Sequence, residues 1–356
     1  MSVNLPFSRV TVIGSGLIGT SIGLALSQKG IEVTMRDQDA RAQGIAQALI
    51  GAKTHEIAES ELVISAVPLS AFSSVLKLLK ESTFGGVFID VASVKTKPVL
   101  EVSVSGLDQG NFLPTHPMAG REVGGAESAR ADLFEGRPWI IDSSQSNSQA
   151  ISYGTSLIET LGAFVIDIPA AAHDQAVALV SHLPQLVSSL LAKQLVGKPE
   201  EWLGLAGAGL RDTTRIAASD SGLWKEIITA NSAAITPLLR KLSSDLTALI
   251  ENLTDENRIA EFISEGQVGR AAIPGKHGGK AREYTFLPIV IEDKPGQLAA
   301  IFDECAKASV NIEDLSIEHS PGQETGLITL AVSASDAVKL SEHLRSHGWD
   351  VHSPRS

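Results

Sequence analysis

One stretch constrains this chain more than any other: an apolar strand that stops on a cluster of glycines. RVTVIGSGLIGTSIG (Arg9–Gly23) opens with a short β-branched run and turns at Gly14, Gly16 and Gly19, spaced G-x-G-x-x-G. It continues as LIGTSIGLALSQKG, a helical pattern closed by Gly30. The first glycine permits a tight turn out of the strand, the second lets a pyrophosphate approach the backbone, and the third lets helix and strand pack closely. The helix start then offers free N–H groups and a partial positive charge to phosphate. Asp37 ends the next strand, EVTMRD, where a carboxylate can hold both ribose hydroxyls. The candidate cofactor contacts are therefore Gly14, Gly16, Leu17, Ile18, Gly19 and Asp37, with Val67 at the end of ELVISAV. The bland alternative is a strand–helix turn that binds nothing. NAD is expected, because a carboxylate repels a 2′-phosphate. Arg36 leaves NADP open, or is a surface charge. Asp39 reads as a helix N-cap.

The alternation persists. ELVISAV, GVFIDVA and NFLPT are further apolar strands, with helical stretches between most of them. Strands apolar throughout and separated by helices imply a parallel sheet covered on both faces. PWIIDS and AFVIDI read as two more strands at a sheet edge. From about Ala170 strands give way to Ala/Leu-rich helical patterns. The segment IPGKHGGKAR reads as a hinge. Strands then return: EYTFLPIVIED, VNIEDLSIE, GLITLAV and a short WDVH. Between them lie two helices, one with Leu298, Ile301, Phe302, Cys305 and Ala306 on an apolar face. The order βαββαβ is a ferredoxin-like unit. The expected organisation is an α/β Rossmann-type nucleotide-binding domain (1–169), an all-α domain (170–272), a linker (273–283) and a ferredoxin-like domain (284–356). A length of 356 residues suits two or three domains.

Charge and cysteine usage exclude some functions. Lys plus Arg is 29 against 41 Asp plus Glu, for a net charge of −12. That argues against nucleic-acid binding as the main task, so any anion pocket must rest on local arginines. Cys305 is the sole cysteine, which forbids an intrachain disulfide and fits a reducing, cytoplasmic setting. No apolar run reads as membrane-length, and MSVNLPFSRV lacks the features of a signal peptide. No metal is called for.

Three stretches beyond the nucleotide motif carry chemistry: DVASVK (Asp90–Lys95), THPMAG (Thr115–Gly120) and SHLPQ (Ser181–Gln185). Ligands of doubly wound sheets bind outside the carboxyl ends of the strands. Ser93 follows one such end and His116 another, so both can face a nicotinamide. A histidine there can serve as general base; the alternative is a hydrogen-bonded strand-end residue. His182 lies at the start of an apolar helix and reads equally as an active-site or a buried structural histidine. Arg211 and Arg215, four apart in AGAGLRDTTRIAASDSGLWKEI, share a face if helical. One of them can clamp a carboxylate, or pair with Asp212 or Asp220.

Taken in order, GSGLIG, DVASVK, HPMAG, SHLPQ, GLRDTTRIA and Trp224 resemble the prephenate/arogenate dehydrogenase family of tyrosine biosynthesis, over about residues 8 to 270. The tail VIEDKPGQLAAIFDECAKASVNIEDLSI resembles an ACT domain, a regulatory module that commonly binds amino acids. The resemblance implies hydride transfer from prephenate to NAD(P)⁺ with loss of CO₂ and aromatisation. It implies that His116 takes or polarises the hydroxyl proton and that Ser93 bonds the same region and the nicotinamide. It further implies that His182 is a second active-site histidine, that Arg215 anchors a substrate carboxylate, and that Trp224 lies near the pocket of a homodimer. Arg121, after HPMAG, is either a substrate contact or a loop charge. In the tail, Pro295 and Gly296 form a strand-to-helix turn that can expose N–H groups to an amino-acid carboxylate. Asn311 and Ile312 start the next strand and complete the expected effector site, with tyrosine the expected ligand.

Arogenate is the close alternative substrate. A sensor that binds NAD and an amino acid without turnover is a rival of another class, but it has no use for Ser93, His116 and Arg215 together. A β-hydroxyacid dehydrogenase or imine reductase would place a catalytic lysine on a later helix, where Lys193 and Lys225 stand without a supporting motif.

Overall fold

The computed structural model describes residues 5–51, 54–121, 123–273, 284–319 and 324–354. Beyond Ile273 the expected linker lies outside the described residues. The chain divides into two compact units, Met1–Leu246 and Thr247–Ser356.

The first unit begins with β1 (Arg9–Ile13), α1 (Leu17–Gln28), β2 (Glu32–Arg36), α2 (Ala40–Ile50), β3 (Leu62–Ser65), α3 (Phe72–Glu81), β4 (Val87–Asp90), α4 (Thr96–Ser105) and β5 (Phe112–Pro117). It continues through β6 (Pro138–Ile141), α5 (Ser148–Thr160) and β7 (Phe164–Asp167). The sheet order is β2-β1-β3-β4-β5-β6-β7. Strands β1 to β5 run parallel, whereas β6 is antiparallel to β5 and parallel to β7. The all-parallel expectation thus ends at β5, and the two edge strands stand where their sequences put them.

Residue alternation fills both faces. Leu62, Ile64, Val87 and Ile89 join one buried cluster with Ile22, Leu26 and Leu157 of α1 and α5. Val63 and Phe88 point the other way and meet Phe72, Leu76, Leu79 and Val102 of α3 and α4. Burial of each such side chain contributes about 1.5–3 kcal/mol.

The helical part follows, with α6 (Ala170–Val177), a π-helical turn (Ala178–His182) and α7 (Leu183–Lys193). Next come α8 (Glu200–Leu203), α9 (Ala208–Thr214), a 3₁₀ turn (Arg215–Ala218), α10 (Ser221–Ala230) and α11 (Ser232–Glu251). His182 is therefore not at a helix start, because one continuous helix runs from Ala170. Pro184 lacks an N–H for the helical ladder, and the π turn lies just before it. This helix, Ala170–Lys193, is also long and apolar enough for a membrane crossing by length and composition, which the sequence reading did not find. It carries His173, Asp174 and His182 buried, and Leu179, Val180, Leu190 and Leu191 exposed.

The second unit holds α12 (Glu256–Ala271), then β8 (Thr285–Glu292), α13 (Gln297–Lys307), β9 (Asp314–His319), β10 (Thr325–Val332), α14 (Ala334–Ser346) and β11 (Asp350–Val351). Its sheet is antiparallel, ordered β11-β8-β10-β9. The βαββαβ order is as expected. The buried stripe of α13 is narrower than expected: Ile301 and Cys305 are buried, while Leu298 and Phe302 are each 39% exposed. Asn311 and Ile312 precede β9 rather than starting it.

Candidate active site

The nucleotide end is built by the glycines. Gly14 has φ +108°, and a Cβ there would collide with the Ala66 carbonyl at the end of β3. A Cβ on Gly19 would strike the Gly14 carbonyl. Both glycines are therefore required by the close approach of β1, β3 and α1, where the strand order reverses. Gly16 differs: a Cβ there meets nothing within 4 Å. Its open space lies at the N-terminus of α1, where a pyrophosphate would approach.

Gly14 and Gly16 line a cavity of about 1570 Å³ with Leu17, Ile18, Asp37, Val67, Ser93, Arg121 and Trp224, whereas Gly19 is off its wall. The Asp37 carboxylate accepts hydrogen bonds from the Ser15 N–H at 2.6 Å and the Asp39 N–H at 2.8 Å. Arg36 turns to Glu56 at 3.2 Å. Asp39 caps α2, as expected. The open cradle at Gly16 and the fixed carboxylate suit NAD.

Behind Ser93 lies a polar network that the sequence reading missed. His116, on the last turn of pleat in β5, is half-buried and pairs with Ile140 of β6. Its Nδ1 lies 2.9 Å from His173 Nε2, and His173 Nδ1 lies 2.8 Å from Asp174 Oδ1. The Asp174 carboxylate also accepts the Lys95 N–H at 2.7 Å and the Thr96 N–H at 2.9 Å. Burial pushes this carboxyl up, but the bonds from His173, Thr96 and Lys95 prevail and hold it below its ordinary value.

A carboxylate can only accept, so His173 Nδ1 carries the hydrogen. With its hydrogen on Nδ1, His173 offers a lone pair at Nε2, and His116 donates to it from Nδ1. His116 Nε2 is left as an acceptor. Burial, and next the Lys95 ammonium, hold the His116 pKa well below its ordinary value, so the ring is neutral.

Lys95 is fully buried. Its ammonium donates to Asp90 Oδ2 and the Thr115 carbonyl. Asp90 also accepts N–H bonds from Ala92 and Thr115. Burial pushes Asp90 up and Lys95 down, while their contact opposes both shifts. Thr115 takes the Trp139 indole N–H at 2.9 Å and donates to the Asp90 carbonyl at 2.6 Å. The ends of β4, β5 and β6 are thereby tied together beneath His116.

His182 is 2% exposed. Asn231 donates from Nδ2 to the Asp174 carbonyl at 2.8 Å and to His182 Nδ1 at 3.1 Å. The His182 hydrogen is then on Nε2. Burial lowers its pKa to about 4, so it too is neutral. Two neutral imidazoles thus have opposite characters, with Nε2 of His116 an acceptor and Nε2 of His182 a donor. His173 and His182 are nine positions apart, which on a regular α-helix is about 180° beyond full turns. The π turn takes up one extra residue and brings this to about 80°.

Trp224 lines the cavity and meets the His182 ring edge-on, with centroids 6.0 Å apart. His116 and His182 themselves are not among the residues lining that cavity. Arg121 lines it and donates to the Ser128 carbonyl at 2.8 Å. Arg215 is exposed at the start of the 3₁₀ turn, off the cavity wall. Asp220, a suggested partner for the arginines, caps α10.

In the second unit, Gly296 has φ +92° and is the N-cap of α13, with Pro295 exposed beside it. Asn311 donates to Glu313 at 3.1 Å, and Ile312 packs on the core of that unit.

Residues 22–167 match the family description "Prephenate dehydrogenase, nucleotide-binding domain", and residues 169–264 match "Prephenate dehydrogenase, dimerization domain". The probable prephenate dehydrogenase NovF of Streptomyces niveus is 31% identical over 96% of this chain and 99% of its own length. The cyclohexadienyl dehydrogenase of Zymomonas mobilis is 29% identical over 76% of this chain and 98% of its own. The crystal structure of the A. aeolicus prephenate dehydrogenase, in complex with hydroxyphenyl propionate and NAD⁺, superposes with a TM-score of 0.67 at 25% identity, covering 76% of this chain and all of that one. With its glycine cradle, its fixed carboxylate and these relatives, the chain belongs to the prephenate dehydrogenase family of NAD-binding oxidoreductases.

Proposed function

We propose that this chain converts prephenate to 4-hydroxyphenylpyruvate with NAD⁺, with loss of CO₂. The observation that carries this reading is the line His116–His173–Asp174, which leaves a neutral acceptor, His116 Nε2, next to a strand end that borders the nucleotide cavity. Bound NAD⁺ supplies the hydride acceptor. His116 Nε2 takes the hydroxyl proton as the hydride leaves the same ring carbon. The carboxylate then departs as CO₂, its bonding electrons complete the aromatic ring, and the phenolic oxygen recovers the proton from His116. His173 and Asp174 act through His116 by holding its tautomer and by stabilising the cation formed when it accepts a proton.

Ser93, on the cavity wall, hydrogen-bonds the hydroxyl and the nicotinamide in this reading. His182, a donor at Nε2, suits an anionic or carbonyl oxygen of the substrate, with Trp224 packed against it. Arg215 anchors a substrate carboxylate and Arg121 contacts the substrate from its loop; for Arg215 the support is the family motif alone. The dimerization-domain match and the exposed Leu179, Val180, Leu190 and Leu191 support a homodimer. The βαββαβ unit is proposed as an ACT regulatory module, with tyrosine bound at Pro295, Gly296, Asn311 and Ile312.

The test offers prephenate and arogenate in parallel with NAD⁺ and follows reduced-nicotinamide absorbance. Rapid reduction with prephenate is expected. Reduction with arogenate alone would move the substrate assignment, and none with either, repeated with NADP⁺, would refute turnover. A calorimetric titration of the whole enzyme with tyrosine tests the effector; a flat isotherm removes it.

A further inference from the structure

The second unit brings together three ligating side chains that the dehydrogenase reaction does not use. His343 and His347 are four residues apart at the end of α14, so they share one face, with ring centroids 4.3 Å apart. Glu304 reaches them from α13, and its Oε2 is 2.7 Å from His343 Nε2. One ligand atom from each residue falls within 4.8 Å of the others.

The surrounding bonds orient this set. His347 Nδ1 donates to the His343 carbonyl at 2.8 Å, which leaves the lone pair on Nε2. Such a backbone bond on the second ring nitrogen commonly fixes a ligating histidine. Glu304 Oε1 accepts from Lys307 at 2.9 Å, leaving Oε2 turned toward the imidazoles. Glu304 and His343 are half-buried and His347 is exposed, so the cluster opens to water on one side.

We propose that Glu304, His343 and His347 form a divalent-cation site, with water completing the shell. Two imidazoles and one carboxylate suit Zn²⁺, Ni²⁺ or Co²⁺ rather than the oxygen-seeking Mg²⁺ or Ca²⁺. Metal–ligand bonds of about 2.1 Å place tetrahedral ligand atoms about 3.4 Å apart. The Glu304–His343 contact therefore opens slightly, the wider separations close by side-chain rotation, and the His343 Nε2 hydrogen moves to Nδ1. The bound ion links α13 to α14 and stabilises the unit by mass action. The rival account is an interhelical hydrogen bond that needs no ion.

The test uses the metal-free, full-length protein. Co²⁺ is titrated by visible absorbance and Zn²⁺ by calorimetry. Uptake of roughly one equivalent per chain is expected, with a rise in melting temperature. His347→Ala changes an exposed side chain, so its circular dichroism and metal-free turnover should match the wild type while its affinity falls at least about tenfold. Glu304→Gln and His343→Ala should weaken uptake as well. No uptake by the wild type overturns the site. Equal uptake by wild type and His347→Ala also overturns it, and places the ion elsewhere, such as on the active-site histidines.

Discussion

Replacing His173 by asparagine isolates one link of the proton line. The asparagine amide reaches Asp174 from roughly the position of imidazole Nδ1, so the carboxylate keeps a donor. Nothing then reaches His116 Nδ1, which loses its acceptor at 2.9 Å. In the ground state this bond joins two neutral rings and contributes about 1 kcal/mol. As His116 takes a proton the same bond becomes charge-assisted, at about 1.5–3 kcal/mol. The difference, about 0.5–2 kcal/mol, is lost only in the transition state and corresponds to about 2–30-fold in kcat. Release of the tautomer costs about another factor of two, since the Nε2–H form is no longer excluded. His173→Asn should therefore lower kcat by about 5–60-fold, against about 10²–10⁴-fold for His116→Asn, which removes the base itself. Steady-state kinetics with prephenate and a fluorescence titration of NAD⁺ read both variants, and NAD⁺ affinity should hardly change. The double variant should be no slower than His116→Asn alone, because His173 acts through His116. A kcat for His173→Asn within threefold of wild type, or effects that multiply in the double variant, would refute the relay.

Two further variants probe the cofactor cradle, and one probes pH. Gly16→Ala should fold with an unchanged melting temperature, because its Cβ meets nothing within 4 Å, yet bind NAD⁺ at least about tenfold more weakly as the methyl fills the pyrophosphate approach. Gly14→Ala, at φ +108° against the Ala66 carbonyl, should lose the fold instead; a Gly16→Ala protein with normal NAD⁺ affinity would contradict the cradle. His182 titrates near 4 when folded against 6.5 ordinarily, so the unfolded chain binds its proton more tightly. Its contribution is complete above about 6.5 and is lost as pH falls toward 4, by about 3 kcal/mol at most. Urea unfolding at neutral and acid pH should show His182→Gln losing less stability on acidification than wild type; equal losses would count against a neutral buried His182.

Much of this architecture is legible in local pattern. The strands from β1 to β5 announce themselves because both of their faces are buried, and Gly14 and Gly19 because no other residue fits. Ser93 and His116 are legible from position, each following or ending a strand. His173 and Asp174 are not, since AAAHDQAV offers only three adjacent polar residues in a helical run. The signal available was their proximity to His182, but regular helical geometry puts His173 and His182 on opposite faces and hides it. Only the π turn corrects that, and periodicity counting assumes it away. Lys95 was visible five residues after Asp90, but its burial depends on how three strand ends converge. Asn231 carries no local mark at all. Arg215 shows the reverse case, a residue prominent in a motif that the single chain leaves in solvent.

The Asp174 carboxylate does two jobs at once. It anchors the imidazole line, and it grips the N–H groups of Lys95 and Thr96, where α4 begins. The helix that carries it belongs to the later half of the unit, and α4 to the nucleotide-binding half. Any hinge motion between those halves would draw the Lys95 and Thr96 N–H groups from Asp174 and His116 from His173 together, while the His173–Asp174 bond, made within one helix, would hold. Reactivity is thereby interlocked with alignment: were the halves to part, the base would have no assured tautomer, and it is armed only while they stay in register.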